Sequence, residues 1–293
     1  MGDTMVLVYI EDKILAGTII TYLEQMKIKY TTQLNKEVKY AIVAEINKKT
    51  MEIINQTKTI FIVYLEENKI YEKFAKENKM SHQYKNKIIS VFNKCTKVVV
   101  SMPCFKKMLP IKTDIEVIPK EVIKLDFVKI KKGKTILFCD FEYNDLEIMY
   151  EVATHYPKHT FYYIGYKNKL NLKEKAILNK MPHNVTCIKS WNLFTFIQLV
   201  KDCYLVIHNS CELNYTLIPI LLQKHLILKD IPYYEDYFIP SKDCYFYEDL
   251  KSLLLKIDKI MDRRLSNLSK DAYDKFIKIN CKYVAIKYSI LLI

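Results

Sequence analysis

Short β-branched or aromatic runs, each followed by a helix-length stretch, recur along most of the 293 residues. Met5-Val-Leu-Val-Tyr-Ile10 opens the series, and residues 40–44, 59–64, 97–101 and 114–118 continue it. Residues 114–118 alternate through Asp114 and Glu116, but the centres of the other runs are continuously apolar. A strand of that kind is buried on both faces, which requires a parallel sheet covered by helices on either side. The intervening segments near 14–26, 46–56, 67–79 and 83–94 carry the matching helical spacing, with Ile19, Ile20, Leu23 and Met26 on one face of the first.

A second set follows Lys131-Lys-Gly-Lys134, a polar stretch holding one of only four glycines. Its strands fall at 135–139, 160–164, 185–188, 204–207 and 225–228, and its helices near 145–156, 172–180, 192–201 and 213–222. From about residue 247 the chain turns helical. A segment from 269 to about 290 closes it, with Phe276, Ile279, Val284 and Ile286 as docking contacts. The expected class is α/β: two Rossmann-like doubly wound domains, 1–130 and 131–268, and a C-terminal helix, 269–293, packing back on them. Ligands of such sheets sit at the carboxyl ends of the strands, so a cleft between two facing sheets would suit one substrate on each.

Composition narrows the function classes. Half of the residues are hydrophobic, enough for a real core. No apolar run approaches the roughly 18 residues of a membrane span, and residues 5–10 are too short and too soon acidic for a signal peptide. A cytoplasmic protein is expected. The eight cysteines are scattered, with no CxxC pair and no zinc-type spacing, so they read as reduced thiols and no metal is expected.

Net charge is +13, from 22 basic against 15 acidic residues up to residue 130 and 24 against 18 beyond it. The excess is even, and lysine enrichment beside Ile, Asn and Tyr is largely a matter of codon composition. A uniform positive field still favours anionic partners, phosphates, nucleotides or an anionic membrane surface met peripherally. Nucleic acid is not expected, because arginine is nearly absent and no basic-aromatic motif occurs.

Cys139-Asp-Phe-Glu-Tyr-Asn-Asp-Leu-Glu-Ile-Met-Tyr-Glu-Val-Ala153, then Tyr156-Pro157 and Phe161-Tyr-Tyr-Ile-Gly165, carry a family likeness. Pro182-His-Asn-Val185, Val200-Lys-Asp-Cys-Tyr-Leu-Val-Ile-His-Asn-Ser-Cys-Glu-Leu213 and His225-Leu-Ile-Leu-Lys-Asp-Ile-Pro-Tyr-Tyr-Glu-Asp236 follow in order. The ordered set, over about residues 133–250, resembles the donor domain of glycosyltransferase family 4. It is most similar to the Firmicutes and Mollicutes enzymes that glucosylate diacylglycerol.

The resemblance implies a GT-B fold and transfer of a sugar, with retention, from a nucleotide-sugar that is UDP-linked. The acceptor would be a glycan, protein or lipid. It implies no metal and no other cofactor, since basic side chains and a helix N-terminus neutralise the departing diphosphate. It places Glu212 at the donor sugar or ribose, with Asn209 and Ser210 beside it, and Gly17 in a loop against the donor phosphates.

Two departures point to the alternative, a catalytically degenerate relative acting as a partner subunit or as a glycan- or nucleotide-binding module. Ile220 stands where the family carries a second glutamate, eight residues after Glu212. Tyr143-Asn144-Asp145 stands at its phosphate-binding Arg-Lys-Gly, leaving Lys167 and Lys169 to substitute.

Each residue also has a plain reading. Glu212 starts a helix favourably. His208 and Asn209 simply end a strand, and Gly17 is an ordinary turn. Asp230, Glu235 and Asp236 form a solvated face. The tyrosines at 233, 234, 237, 245 and 247 pack at the domain edge, and Trp191 covers a helix–strand contact.

Overall fold

A computed structural model describes residues 5–63, 82–101, 103–119, 125, 134–141, 145–165, 172–188, 190–209, 213–234, 237–279 and 281–292. The chain divides into two compact units, residues 1–121 with 279–293, and residues 122–278. The junction expected near 131 falls largely outside the described residues, as does the helix expected at 67–79.

Unit 1 runs β1 (Met5–Tyr9), α1 (Lys13–Gln25), β2 (Tyr30–Thr31), β3 (Val38–Val43), α2 (Lys48–Ile54), β4 (Lys58–Ile62), α3 (His82–Phe92), β5 (Lys97–Val100), α4 (Pro103–Met108) and β6 (Asp114–Val117). Its six described strands form one parallel sheet in the order β2-β1-β3-β4-β5-β6. The apolar runs explain the layering. Val98, Val99 and Val100 of β5 are each sealed from solvent, as are Phe61 and Ile62 of β4, which demands cover on both faces. Each such side chain contributes about 1.5–3 kcal/mol by leaving water. The edge strand β2, two residues long, is only half-buried and left no hydrophobic run to recognise.

Unit 2 runs β7 (Thr135–Cys139), α5 (Leu146–His155), β8 (Thr160–Ile164), α6 (Leu172–Asn179), β9 (Val185–Ile188), α7 (Leu193–Asp202), β10 (Leu205–His208), α8 (Leu213–Leu221), β11 (His225–Lys229), β12 (Tyr245–Tyr247), α9 (Leu250–Met261) and α10 (Ser269–Phe276). Its described strands also form one parallel sheet, in the order β12-β11-β10-β7-β8-β9. β12 is a strand that the sequence pattern did not disclose: Tyr245-Phe-Tyr247 is three residues long and sits where helix was expected to begin.

Local chemistry sets the helix starts. The side chains of Asn47 and Asn192 accept the backbone N–H of Thr50 and Thr195 at 2.8 and 2.9 Å, capping α2 and α7. Asp249 and Ser252 form a reciprocal capping box on α9.

The expected single closing helix is two. The first ends at Phe276, and the two serve different units. α10 belongs to unit 2, where Phe276 stacks on Tyr237 with centroids 5.5 Å apart. The last helix, α11 (Cys281–Leu291), belongs to unit 1. There Val284, Ala285 and Tyr288 join the core beside α1, and Tyr288 stacks on Tyr22 at 5.8 Å. Ile279 packs against that core too, but Ile286 is 41% exposed and is not a docking contact. Its position falls on the outer side of the helix whose inner face is Val284 and Tyr288.

Candidate functional site

Strand order locates the crevice in unit 2. Counting that unit's strands from one, the sheet reads 3-2-1-4-5-6 from β9 to β12. The chain leaves β7 toward β8 on one side and leaves β10 toward β11 on the other. Neighbouring strands whose connections diverge open a crevice at their carboxyl ends, and doubly wound sheets bind ligands there.

The residues at that point are polar and buried. Asp140, directly after β7, accepts the Asp145 N–H and the Tyr163 hydroxyl, each at 2.8 Å. Burial raises its carboxyl above the usual carboxylate range, against hydrogen bonds that favour the charged form. Asp145, on the loop leading into α5, is 5% exposed and takes three donors. The Lys229 ammonium, at the end of β11, lies 2.6 and 2.8 Å from its two oxygens. The Asn209 amide and the Tyr247 hydroxyl donate to it at 2.8 and 3.1 Å. Five strand ends are thereby tied to one carboxylate pair.

Asn209 is the residue with something to spare. Its Nδ2 is committed to the Asp145 carboxylate, which fixes the amide orientation and leaves Oδ1 buried with no hydrogen-bond partner among the described residues. A buried acceptor without a donor is costly, and a ligand hydroxyl or N–H would relieve it.

An aromatic wall stands beside these groups. Phe141 stacks on Trp191 at 4.8 Å and meets Tyr215 and the His208 ring edge-on at 5.3 and 5.4 Å. Trp191 and Tyr215 are only half-buried, so part of this wall is open to a ring. His208 is fully buried, its Nδ1 within 3.4 Å of Thr216 Oγ1 and 3.3 Å of the Tyr234 hydroxyl. Burial lowers its pKa to about 3, so the imidazole is neutral at ordinary pH and organises the strand end rather than carrying protons.

Unit 1 has the corresponding crevice between β1 and β3, whose connections also diverge. It is built differently. Glu45, after β3, accepts the backbone N–H groups of Glu11 and Asp12 at 2.8 and 3.3 Å, and Asn47 donates to Glu11 at 2.9 Å. The backbone donors after β1 are thus already satisfied by a carboxylate, and desolvation raises the Glu45 pKa.

Of the site residues expected from sequence, the structure brings Asn209 to the crevice. Glu212, Ser210, Lys167 and Lys169 lie outside the described residues, as do Tyr143 and Asn144. Gly17 is corrected: it lies inside α1, not in a loop. Asp12 starts the helix by accepting the Leu15 N–H at 2.8 Å, Gly17 has no positive φ, and its carbonyl accepts the Thr21 hydroxyl at 2.9 Å. Ile220 is a sealed core residue. The tyrosines at 233, 234, 237, 245 and 247 are all buried, so none is a free stacking surface.

Sequence reasoning missed Asp140, Lys229, Asp145, Tyr163, Tyr247 and the Phe141–Trp191–Tyr215 wall. A usable signal existed for two of them. Asp140 and Lys229 are single charges at the carboxyl ends of otherwise apolar strands.

Among the described residues no group of three or more His, Cys, Asp or Glu could hold a metal ion. No described helix is long and apolar enough to cross a membrane. No protein-family model and no curated protein sequence matches the chain.

Solved structures do match in fold. HepE of Anabaena, solved with UDP-glucose, aligns with a TM-score of 0.73 at 10% identity over 99% of each chain. A glycosyltransferase from Rickettsia africae aligns at 0.64 and 13% identity over 99% of this chain and 97% of its own. TarM aligns at 0.70 and 16% identity over 94% of this chain, which spans only 58% of the TarM chain. With two parallel six-stranded sheets, each covered by helices, the chain has the GT-B fold.

Proposed function

We propose that the protein is a glycosyltransferase that binds a UDP-linked sugar at the unit 2 crevice and transfers the sugar to an acceptor. The observation that carries this is Asn209 Oδ1. It is a buried acceptor with no donor among the described residues, held at the point where the strand order opens, beside half-open aromatic rings. A nucleotide-sugar offers what is missing: hydroxyl donors for Asn209 and a flat base for Trp191 and Tyr215. That neighbours of this fold were solved with UDP-glucose or UDP supports the same class of ligand.

In the transfer, the bond from the anomeric carbon to the diphosphate oxygen breaks and the acceptor hydroxyl oxygen bonds to that carbon, its proton passing to the departing diphosphate oxygen. Configuration is retained. The diphosphate leaves with added charge, which a cation must stabilise. Lys229 is the described cation nearest that role, with Lys167 and Lys169 as further candidates, so no metal is required. Glu212 would hold the donor's hydroxyls. The acceptor is a glycan, protein or lipid, met in the cytoplasm or at an anionic membrane surface.

One observation favours the second reading, a binding module without turnover. Lys229 is already neutralised by Asp145 at 2.6 Å, so a diphosphate must displace a buried carboxylate to use it. The decisive experiment incubates the pure chain with UDP-glucose and follows UDP release, with and without glycan and lipid acceptors. Turnover lost in Asn209→Ala supports transfer. Saturable binding without UDP release supports the binding module, and absence of both overturns the reading.

A further inference from the structure

The opposite end of the unit 2 sheet carries a second cavity, of about 600 Å³. Parallel pairing explains its lining. Lys134 precedes β7, His159 precedes β8, Tyr204 precedes β10 and His225 begins β11, and these strands are neighbours running the same way. Their amino ends therefore meet at one edge. Arg263, just past the C-cap of α9, and Asn267 complete the lining. Strands here are four or five residues long, so this edge lies about 13–17 Å from the crevice at the carboxyl ends.

The chemistry of this lining is one-sided. It holds Lys134 and Arg263, and no carboxylate is among the described residues that line it. Neither cation has an ion-pair partner among the described residues. His225 is 8% exposed, and its Nδ1 is buried with no hydrogen-bond partner among the described residues. Asn267 has one N–H committed to the Gln223 carbonyl at 2.6 Å, and its amide has a second. Arg263 sits at φ 58°, a backbone position glycine usually takes at a helix end, so a long cationic side chain is kept where a small residue folds more easily.

From these observations we infer that the cavity is a second binding site, for a small phosphorylated molecule. A phosphate presents three or more acceptor oxygens and up to two negative charges. Arg263 offers a planar fork and Lys134 a point charge, with the His225 and Asn267 N–H groups as neutral donors. The volume exceeds that of a phosphate several-fold. Its remainder is faced by Tyr204, whose ring lies 4.9 Å from that of His225, giving an apolar surface for the organic part.

The test is calorimetric titration of the whole chain with inorganic phosphate, then with ribose 5-phosphate, at pH 7.5 and low salt. The histidine ring resonances are followed by NMR in parallel. Saturable binding with a shift of the His225 resonance is expected, tighter for the sugar phosphate. Lys134→Ala and Arg263→Asn should each weaken it about 10-fold, asparagine being chosen because it tolerates positive φ. Lys175→Ala, which removes an exposed lysine on α6, should change it less than twofold. Equal weakening by Lys175→Ala would show only the general positive field. Absence of saturable heat and of any His225 shift in the parent protein would likewise overturn the proposal.

Discussion

The two units solve the same topological problem with opposite chemistry. Each sheet diverges at one pair of strands and opens a crevice there, between β1 and β3 in unit 1 and between β7 and β10 in unit 2. In unit 1 the backbone donors that could hold an anion are occupied by Glu45, and Glu11 and Asp12 add further negative charge. In unit 2 the carboxylate is matched by Lys229 and the groups are buried. Among the described residues each crevice keeps a buried acceptor without a donor, Glu45 Oε2 in unit 1 and Asn209 Oδ1 here, and the latter stands beside a cation. Topology alone therefore does not make a ligand site. A crevice that satisfies its own donors with its own carboxylate resembles a helix cap more than a pocket, and an anionic ligand would be repelled from it.

The strongest way to break this comparison is to remove the cation. Asp145 is 5% exposed, and Lys229→Ala would leave it a buried charge without its counter-ion, held only by Asn209 and Tyr247, costing about 3–5 kcal/mol. Trp191, the single tryptophan, reports unit 2 by fluorescence in a urea melt. Glu45→Gln keeps the carbonyl that accepts the two backbone N–H groups and should change unit 1 by less than about 1 kcal/mol, read by hydrogen exchange over residues 5–63. Equal losses in the two units would show that the crevices are not different in kind.

Acid should separate them further. Burial lowers the pKa of His208 to about 3 and of His225 to about 4, so the unfolded chain binds more protons at these sites below pH 6.5. Stability of unit 2 must then fall as pH drops, by about 2 kcal/mol per histidine between pH 6.5 and 5. Asp140, whose pKa is raised by burial, titrates the other way and offsets part of the loss at the lower end. Glu45 is also raised, so its contribution to unit 1 is present at low pH and lost as pH rises through its folded pKa, above 4.5. A Trp191-monitored melt at pH 5 as stable as at pH 7 would contradict the unit 2 account, and His208→Phe should flatten the slope.

How much of this was legible before the structure follows physical lines. The parallel sheets could be read because runs such as residues 5–10 and 204–207 are apolar at every position, which two-sided burial explains. β2 and β12, of two and three residues, are too short to carry a period. The break between α10 and α11 was hidden because no glycine or proline marks it in the sequence Ile277-Lys-Ile-Asn280. Asn209 could be found from its place at a strand end. The Asp145–Lys229 pair could not, because 84 residues separate its members and only the sheet order brings them together.

Two smaller tests sharpen the picture. Replacing Tyr143 by Arg and Asn144 by Lys should tighten UDP binding at least about 10-fold, since a charge-assisted phosphate contact contributes roughly 1.5–3 kcal/mol. No gain would mean that the diphosphate lies elsewhere. Gly17→Ala should stabilise unit 1 by about 0.4–1 kcal/mol, because Gly17 is in a helix, has ordinary φ and has no atom within 4 Å of an added Cβ. UDP affinity should not change in that variant. A large loss would restore Gly17 to a phosphate-binding role.

The central claim is that the unit 2 crevice, and not its unit 1 counterpart, takes the nucleotide-sugar. Calorimetric titration of UDP-glucose into the parent chain, Asn209→Ala and Glu45→Gln tests it most directly. The account predicts saturable binding in the parent, weakened by about 1–3 kcal/mol in Asn209→Ala and within twofold of the parent in Glu45→Gln. Binding that survives Asn209→Ala unchanged, or that is lost with Glu45→Gln, would contradict it.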